Sequence, residues 1–375
     1  MKIIICKKCV ITSLKPNIRF LKNGICVPCA NYEIRKFFER KENFKRSREK
    51  FKSVIYNNRN NKKYDVIIPV SGGKDSLFQV IKTKEFTQKI LAVCVDFGLR
   101  TEIGEKNLNL ITNQLNVDLI KYSFNKKTIK KLALYSFKNF GDPDLFNHIL
   151  LYNLPRIIAK DLGIKTLIFG EDPRIMSSGV RLTKKINKNK FFLDKNYFDK
   201  FVNHSNINTN NILKKLNIPI HERIYFQYKN IPSIKVIFLG NFFKWDSNEN
   251  FKLAKSIGFK TSRKTEGTYR NFVNVDEDWN RIHHYLKLLK FGYGRTTDHA
   301  CEDIRLGVLK RQKALKLIKK YEYQKLSKYY LDRLSEYLEI SNTNIIKILE
   351  KFRNKKIWKK NKKKWLPIFL KSYNC

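Results

Sequence analysis

From Tyr64 onward, short apolar runs alternate with stretches of helical periodicity. Tyr64–Val70 and Ile90–Val95 are short apolar runs that read as buried strands, and Val117–Tyr122, Lys165–Phe169 and Ser233–Leu239 read as further strands. Between them, Leu77–Phe86, Glu102–Leu115, Thr128–Asn139 and Ile149–Leu162 read as helices, the last stopping at Gly163. Strands alternating with helices at this spacing predict βαβ units and a parallel sheet. Crossovers should be right-handed, and the ligand site should lie at the carboxyl ends of the strands. The expected fold class is therefore α/β. Asn248–Ser256 and Trp279–Leu289 continue as helices, and Lys310–Phe352 reads as a helical region of basic and apolar residues.

The flanks have a different texture. Residues 33–56 are highly charged, with apolar residues at near-helical spacing, and read as a long exposed helix. Asn57–Lys63 (NNRNNKK) reads as a polar linker. Residues 183–215 are Lys/Asn-rich and weakly patterned, as expected of an insertion or a mobile loop, and Lys359–Lys364 is a basic run. The expected division is a cysteine module at 1–31, a helix and linker at 32–63, the α/β domain at 64–308 and a helical basic region at 309–375.

Composition modifies this picture only at the margins. A chain of 375 residues with 42% hydrophobic positions can bury a sizeable core. Its 78 basic against 33 acidic residues give +45, a charge that would ordinarily point to nucleic acid. Yet Lys outnumbers Arg 59 to 19, there are 37 Asn, and the lysines are spread over the whole chain. The excess reads mainly as compositional drift on solvated faces, so nucleic acid is not the expected partner. No apolar run approaches the roughly 18 residues of a membrane span, and Met1–Ile5 runs straight into Cys6-Lys7-Lys8-Cys9 without a signal-peptide apolar region. A cytoplasmic protein is expected.

Two motifs carry chemistry. Cys6-x2-Cys9 and Cys26-x2-Cys29 stand 16 residues apart, the spacing of a structural zinc site. Each pair places two thiolates on one knuckle, and two knuckles complete a tetrahedron with no position left for substrate. An iron–sulfur cluster and free buried thiols are the alternatives. The second motif is Ser71-Gly72-Gly73-Lys74-Asp75-Ser76, directly after the first strand. Its glycines allow a tight turn whose backbone N–H groups approach an anion, the following helix aims its positive end there, and Lys74 adds a charge. The Walker A spacing is absent.

The loop Ser71–Ser76 resembles the pyrophosphate loop of the N-type ATP pyrophosphatases, which split ATP into AMP and pyrophosphate to adenylate an oxygen. The resemblance implies an adenine nucleotide alpha hydrolase-like core, ATP as cosubstrate, and adenosine cupped by Val95, Asp96 and Phe97 at the end of the second strand. It also implies acidic groups near Mg²⁺ at a later strand end. Phe169-Gly170-Glu171-Asp172 is the matching segment, which makes Asp75 and Glu171 the Mg²⁺ candidates. A plain solvated turn is the alternative reading of Glu171 and Asp172.

Over nearly its full length the chain resembles the N-acetyl sugar amidotransferases of bacterial surface-polysaccharide biosynthesis, the group of the pseudaminic acid and O-antigen acetamidino enzymes. The resemblance rests on Cys6–Cys29, Ser71–Ser76, Phe238–Asp246, Ile257–Tyr269 and Tyr285–Arg305, the last being the most specific. Cys301 departs from it, standing where a small polar residue is expected. The resemblance implies that ATP adenylates the oxygen of a sugar N-acetyl group and that ammonia displaces AMP, leaving an acetamidino group. It further implies an N-acetylated sugar or nucleotide-sugar substrate, with ammonia from a separate glutaminase and a channelling subunit. No cysteine of this chain stands in a glutaminase setting.

On the sugar side Arg295, Asp298 and His299 are the candidates: Arg295 for a diphosphate or carboxylate, and Asp298 to orient the His299 imidazole for proton transfer. Helix capping and support of a Gly-rich turn is the competing reading. Trp245, Glu266 and Arg270 are secondary candidates, and His283-His284 reads as helix surface. A tRNA-modifying pyrophosphatase is the rival enzyme and a zinc-bearing RNA-binding scaffold the rival non-enzyme. The absence of further paired cysteines after Cys29 argues against the first, and the intact Lys74-Asp75-Ser76 against the second.

Overall fold

In the computed structural model, residues 3–38, 41–59, 63–171, 207–228, 231, 233–361 and 364–369 are described, with side chains at 37–38, 41–44 and 364 left aside. Five parallel strands form one sheet in the order β3-β2-β1-β4-β5. They are β1 (Val66–Pro69), β2 (Ile90–Asp96), β3 (Asp118–Ser123), β4 (Thr166–Phe169) and β5 (Lys235–Phe238). The chain winds from β1 outward to β3, then returns to place β4 on the other side of β1. The carboxyl ends of β1 and β4 therefore flank the point where the winding reverses, the usual ligand crevice of such sheets.

Both faces of the sheet are covered, and the strand sequences follow from that. In β1, Val66 and Ile68 pack with Leu77 and Val80, whereas Ile67 faces Leu91, Tyr152 and Leu167 on the other side. All four β1 residues are buried, so a continuous Val/Ile run replaces the alternation of a half-exposed strand.

Two helices precede the sheet, α1 (Val27–Phe38) and α2 (Lys41–Asn57). The expected single exposed helix over 33–56 is thus broken, and α2 is not wholly exposed. Phe51 and Ile55, four residues apart on one face, are fully buried, with the Phe51 ring against Phe86, Phe242 and Phe243. After β1 comes α3 (Lys74–Lys84), which begins at Lys74 itself, three residues before the expected start. The expected helix over 102–115 is divided at Asn109 into α4 (Glu102–Leu108) and α5 (Leu110–Asn113). Helix α6 (Lys126–Phe140) ends on left-handed Gly141, and α7 (Leu145–Asp161) starts four residues earlier than its periodicity suggested.

The Lys/Asn-rich stretch 183–215 lies mostly outside the described residues, but its end is helical, α8 (Thr209–Lys215). Next come α9 (Ile220–Arg223) and α10 (Ser247–Ser256), the latter packed on α3. Helices α11 (Trp279–Phe291) and α12 (Arg295–Leu306) follow, with left-handed glycines 292 and 307 ending each. The C-terminal region contains α13 (Arg311–Tyr321), α14 (Lys328–Leu338) and α15 (Asn342–Lys351). The basic run forms part of a hairpin, β6 (Trp358–Asn361) with β7 (Lys364–Pro367). One buried cluster joins Cys6, Cys9, Cys26 and Cys29 to residues of α6, α7, α11, α12, α13 and α15, so these segments share a core.

Candidate active site

The loop after β1 folds back on itself. Ser71 N donates to Ser76 Oγ at 2.9 Å and Gly73 N donates to Ser71 Oγ at 3.2 Å. Gly72 has φ +84°, and a Cβ there would stand 2.7 Å from the Gly104 carbonyl oxygen, so glycine is required both for the turn and for the approach of α4. No side chain caps α3, which leaves its first N–H groups to a ligand anion. Lys74 is buried and its Nζ lies 2.6 Å from Asp75 Oδ2.

A cavity of about 500 Å³ opens over this loop. Ser71, Lys74, Asp75 and Ser76 form one side, and Gly170 and Glu171 after β4 form another. Helix α12 presents Arg295, Asp298, His299 and Glu302, and the cysteine module adds Ile11, Lys15, Ile18 and Pro28. The structure thus brings together Asp75, Glu171, Arg295, Asp298 and His299, which are up to 224 positions apart. Asp172 lies outside the described residues.

The carboxylate side has an oxygen-rich character. Asp75 Oδ1 accepts from Asn250 Nδ2 at 2.9 Å, and Glu171 Oε1 accepts from the Tyr152 hydroxyl at 3.0 Å. Glu171 Oε2, Gln79 Oε1 and Asn250 Oδ1 are buried without a hydrogen-bond partner among the described residues. Burial pushes the Glu171 carboxyl above its ordinary value and the Asp75 charge adds to this, against the Tyr152 hydrogen bond and the nearby His148. Surplus oxygen donors beside two carboxylates fit a hard divalent cation such as Mg²⁺, which would relieve both the orphaned oxygens and the repulsion.

On α12, Asp298 does not orient His299. Successive helix residues point about 100° apart, and Asp298 instead pairs with Lys287, with Lys15 Nζ 3.6 Å away. Burial opposes its charge, but Lys287, Lys15 and Arg295 outweigh that and hold its carboxyl below the usual range. His299 Nδ1 lies 2.8 Å from Thr268 Oγ1, so a threonine takes the orienting role expected of Asp298. Burial, followed by Arg295, Arg270 and Lys74, holds the imidazole well below its ordinary value and hence neutral. Arg295 Nε has no partner among the described residues.

Trp245 and Arg270 also line the cavity. Arg270 bonds Glu302 Oε2 at 2.8 Å and Asp303 Oδ1 at 2.7 Å, which ties the 266–270 segment to α12. Glu266 is not part of the lining and accepts from Arg281 Nε at 3.0 Å. His283 and His284 are not on open helix surface: His283 Nδ1 lies 3.2 Å from Asp142 Oδ1, its ring is 5.5 Å from that of His148, and His284 is desolvated and held neutral.

Val95, Asp96 and Phe97, expected to cup adenosine, lie outside the lining of this cavity. Val95 and Phe97 are buried in the core, and Asp96 lies 3.6 Å from Lys121 Nζ. Trp279 Nε1 donates to the Phe97 carbonyl and the Tyr337 ring stacks edge-on to Trp279 beside Gly98, so side chains of α11 and α14 cover this strand end. Arg100 fills the neighbouring space. It donates to the Ser71 carbonyl at 2.6 Å, to Cys94 Sγ at 2.9 Å and to Glu277 Oε1 at 3.2 Å. Burial pushes the Cys94 thiol up to about 12, so it is no thiolate at neutral pH.

The four module cysteines are fully buried with all four Sγ within 4.8 Å of one another. Cys9 Sγ and Cys26 Sγ are 3.7 Å apart, close to the ~3.8 Å edge of a tetrahedron with Zn–S near 2.3 Å. The Cys9 and Cys26 amides both donate to Cys6 Sγ, as knuckle amides do toward a metal-bound thiolate. This group fits a tetrahedral metal ion.

Sequence reasoning missed Lys15, Gln79, Tyr152, Asn250 and Arg305. Lys15 and Arg305 lie inside segments that carry the resemblance but were not singled out, Gln79 follows the loop by one turn of α3, and Tyr152 and Asn250 reach the site through tertiary packing.

Residues 266–371 match the model of the family described as LPS biosynthesis protein WbpG-like, C-terminal domain. The comparison with curated proteins gives no match. Among solved structures, the NH3-dependent NAD synthetase from Campylobacter jejuni subsp. jejuni NCTC 11168, in complex with the nitrate ion, aligns with a TM-score of 0.28 and 14% identity. That alignment covers 34% of this chain and 57% of that one, little more than half its length. The segment carrying Arg295, Asp298 and His299 is thus similar to the C-terminal domain of the WbpG-like lipopolysaccharide biosynthesis proteins, in keeping with the family resemblance of the sequence.

Proposed function

We propose that this chain is an ATP-dependent amidotransferase that converts a sugar N-acetyl group to an acetamidino group in lipopolysaccharide or related surface-polysaccharide synthesis. The observation that carries the reading is that one cavity is shared by the uncapped loop Ser71–Ser76 and by α12 of the WbpG-like region. In the reaction, the amide oxygen attacks the α-phosphorus of ATP and pyrophosphate departs. Ammonia then adds to the imidate carbon, a proton is lost, and the C–O bond breaks to release AMP.

The residues divide the work. The loop N–H groups and Lys74 hold the departing pyrophosphate, where preorganised donors act on charge as it develops. Asp75 and Glu171, with Gln79 and Asn250 beside them, would hold Mg²⁺, whose contribution is to neutralise phosphate charge. Neutral His299, oriented by Thr268, is suited to accept the proton lost by the attacking ammonia. Arg295 is placed for an anionic group of the sugar substrate. Zn²⁺ in the four-cysteine site would be structural. Ammonia would come from a separate glutaminase with a channelling subunit. A cytoplasmic site of action agrees with this use of ATP, and no helix among the described residues is long and apolar enough to cross a membrane.

The test supplies the purified chain with ATP, Mg²⁺, ammonium and a panel of free and nucleotide-linked N-acetyl sugars. The reading expects AMP and pyrophosphate in step with a product in which one oxygen is replaced by NH. Formation of ADP and phosphate, or sugar-independent hydrolysis alone, refutes it.

A further inference from the structure

The four-cysteine centre and the cavity share a wall. The loop after the first knuckle carries Ile11, Lys15 and Ile18 into the lining, and Pro28 of the second knuckle adjoins them. From the other side, α12 presents Cys301 and Arg305, four residues apart on one helix face. Cys301 is only 3% exposed, belongs to the same buried cluster as the four cysteines, and has its thiol within hydrogen-bonding reach of Cys9. Arg305 faces Cys9, Cys26, Cys29 and Cys301 electrostatically. Two further contacts bridge the same seam: Arg311 Nε donates to the Cys9 carbonyl at 3.2 Å, and Lys15 Nζ approaches Asp298 Oδ1 at 3.6 Å.

We propose that Cys301 and Arg305 form the outer shell of the metal centre and fasten it to the cavity helix, so that metal occupancy holds α12 in place. Four thiolates around a divalent ion carry a net charge of about −2. A guanidinium alongside offsets that charge, and the Cys301 S–H is a weak donor within reach of the Cys9 sulfur. Partners of this kind orient the ligands and change metal affinity by roughly 10–100-fold when removed. Cys301 is also where the sequence departs from the resemblance that the rest of its segment shows. An outer-shell thiol gives that departure a physical role which requires no nucleophile.

The experiment uses the full chain loaded with Co²⁺, whose thiolate charge-transfer band reports on the sulfurs, and compares Cys301→Ala, Cys301→Ser, Arg305→Gln and Arg305→Lys. Cys301→Ala and Arg305→Gln should release metal to a competing chelator with about 10-fold weaker affinity and shift the band. Cys301→Ser and Arg305→Lys, which keep the donor or the charge, should stay near wild type. Chelator treatment of wild type should raise amide exchange in residues 295–306 together with residues 3–30. Wild-type metal affinity and spectra in Cys301→Ala and Arg305→Gln, or exchange confined to residues 3–30, would overturn the proposal. If Arg305→Gln does not fold, Cys301→Ala, which removes one sulfur atom, decides the matter. None of these readouts depends on the sugar reaction.

Discussion

Gly104→Ala probes whether α4 is clamped between the phosphate loop and the segment around Asp276. Considered as a helix substitution alone, it should stabilise, by up to about 1 kcal/mol. The packing reverses the sign. A Cβ at position 104 would lie 2.3 Å from the Asp276 carbonyl oxygen and 2.7 Å from Asp276 Cα, both backbone atoms that no rotamer change can move. Segment 275–278 is itself pinned, because Thr101 N donates to the Asp276 carbonyl, Asp278 N to the Leu99 carbonyl, and Arg100 to Glu277. Restoring ordinary contact requires a shift of about 1 Å, and overpacking of this kind costs roughly 1–3 kcal/mol. The variant should therefore be less stable by about 1–2 kcal/mol, read as a lower urea midpoint at unchanged slope. Because Gly72 sits against the Gly104 carbonyl, the same shift displaces the phosphate loop. Misplacement on that scale can cost ~10²-fold in rate, measured as AMP formation. A variant as stable as wild type, or more so, with undiminished AMP release would refute the clamp.

Three further outcomes are expected. Lys74→Ala and Asp75→Ala should each lower substrate-dependent pyrophosphate release by roughly 10²-fold or more with little change in melting temperature; retention of activity would remove the loop from the chemistry. His148 should be protonated at neutral pH, because the Asp144 and Asp142 carboxylates outweigh its burial and hold it at about 10. The unfolded value is about 6.5, so the pair's contribution to stability is full below that pH and fades as the pH rises toward 10. An imidazole NMR titration near 6.5 in wild type, or one unmoved by Asp144→Asn, would contradict this. The purified chain should use ammonium but not glutamine, in wild type and in Cys301→Ser alike; glutamine hydrolysis abolished by Cys301→Ser would locate the ammonia source inside the chain.

What the sequence disclosed was what depends on local order. Alternating apolar runs and helical periods yield the parallel sheet, and two short motifs locate the glycine-rich loop at the mouth of the cavity and the cysteine group. What it withheld depends on which surfaces meet. Adjacent Asp298 and His299 suggested a pair on the page, but helix geometry separates them and hands His299 to Thr268, 31 positions earlier. Val95, Asp96 and Phe97 end their strand as expected, yet whether that end is open is decided by Trp279 and Tyr337, far along the chain. The charge density of α2 hid Phe51 and Ile55, since with Val54 they form one buried patch little more than a turn long, enough to seat the helix. Lys15 stands between the two cysteine pairs without a signal of its own and Asn250 in a stretch with no motif, and only tertiary packing brings them to the site.

The shared core of the cysteine module and α12 also bears on biogenesis. Cys29 leaves the ribosome 272 residues before Cys301, and α13, which covers Cys9, follows still later. At ordinary elongation speeds of about 5–20 residues per second, that separation lasts roughly 15–55 s. Throughout it, the four thiols have none of the burial that α12 and α13 later provide. A metal ion captured early, by knuckles whose ligands are all local, would keep those sulfurs from oxidation or mispairing until α12 and α13 arrive. Cells short of zinc should therefore accumulate this protein in a form damaged before synthesis is complete, a lesion that metal added afterwards does not repair.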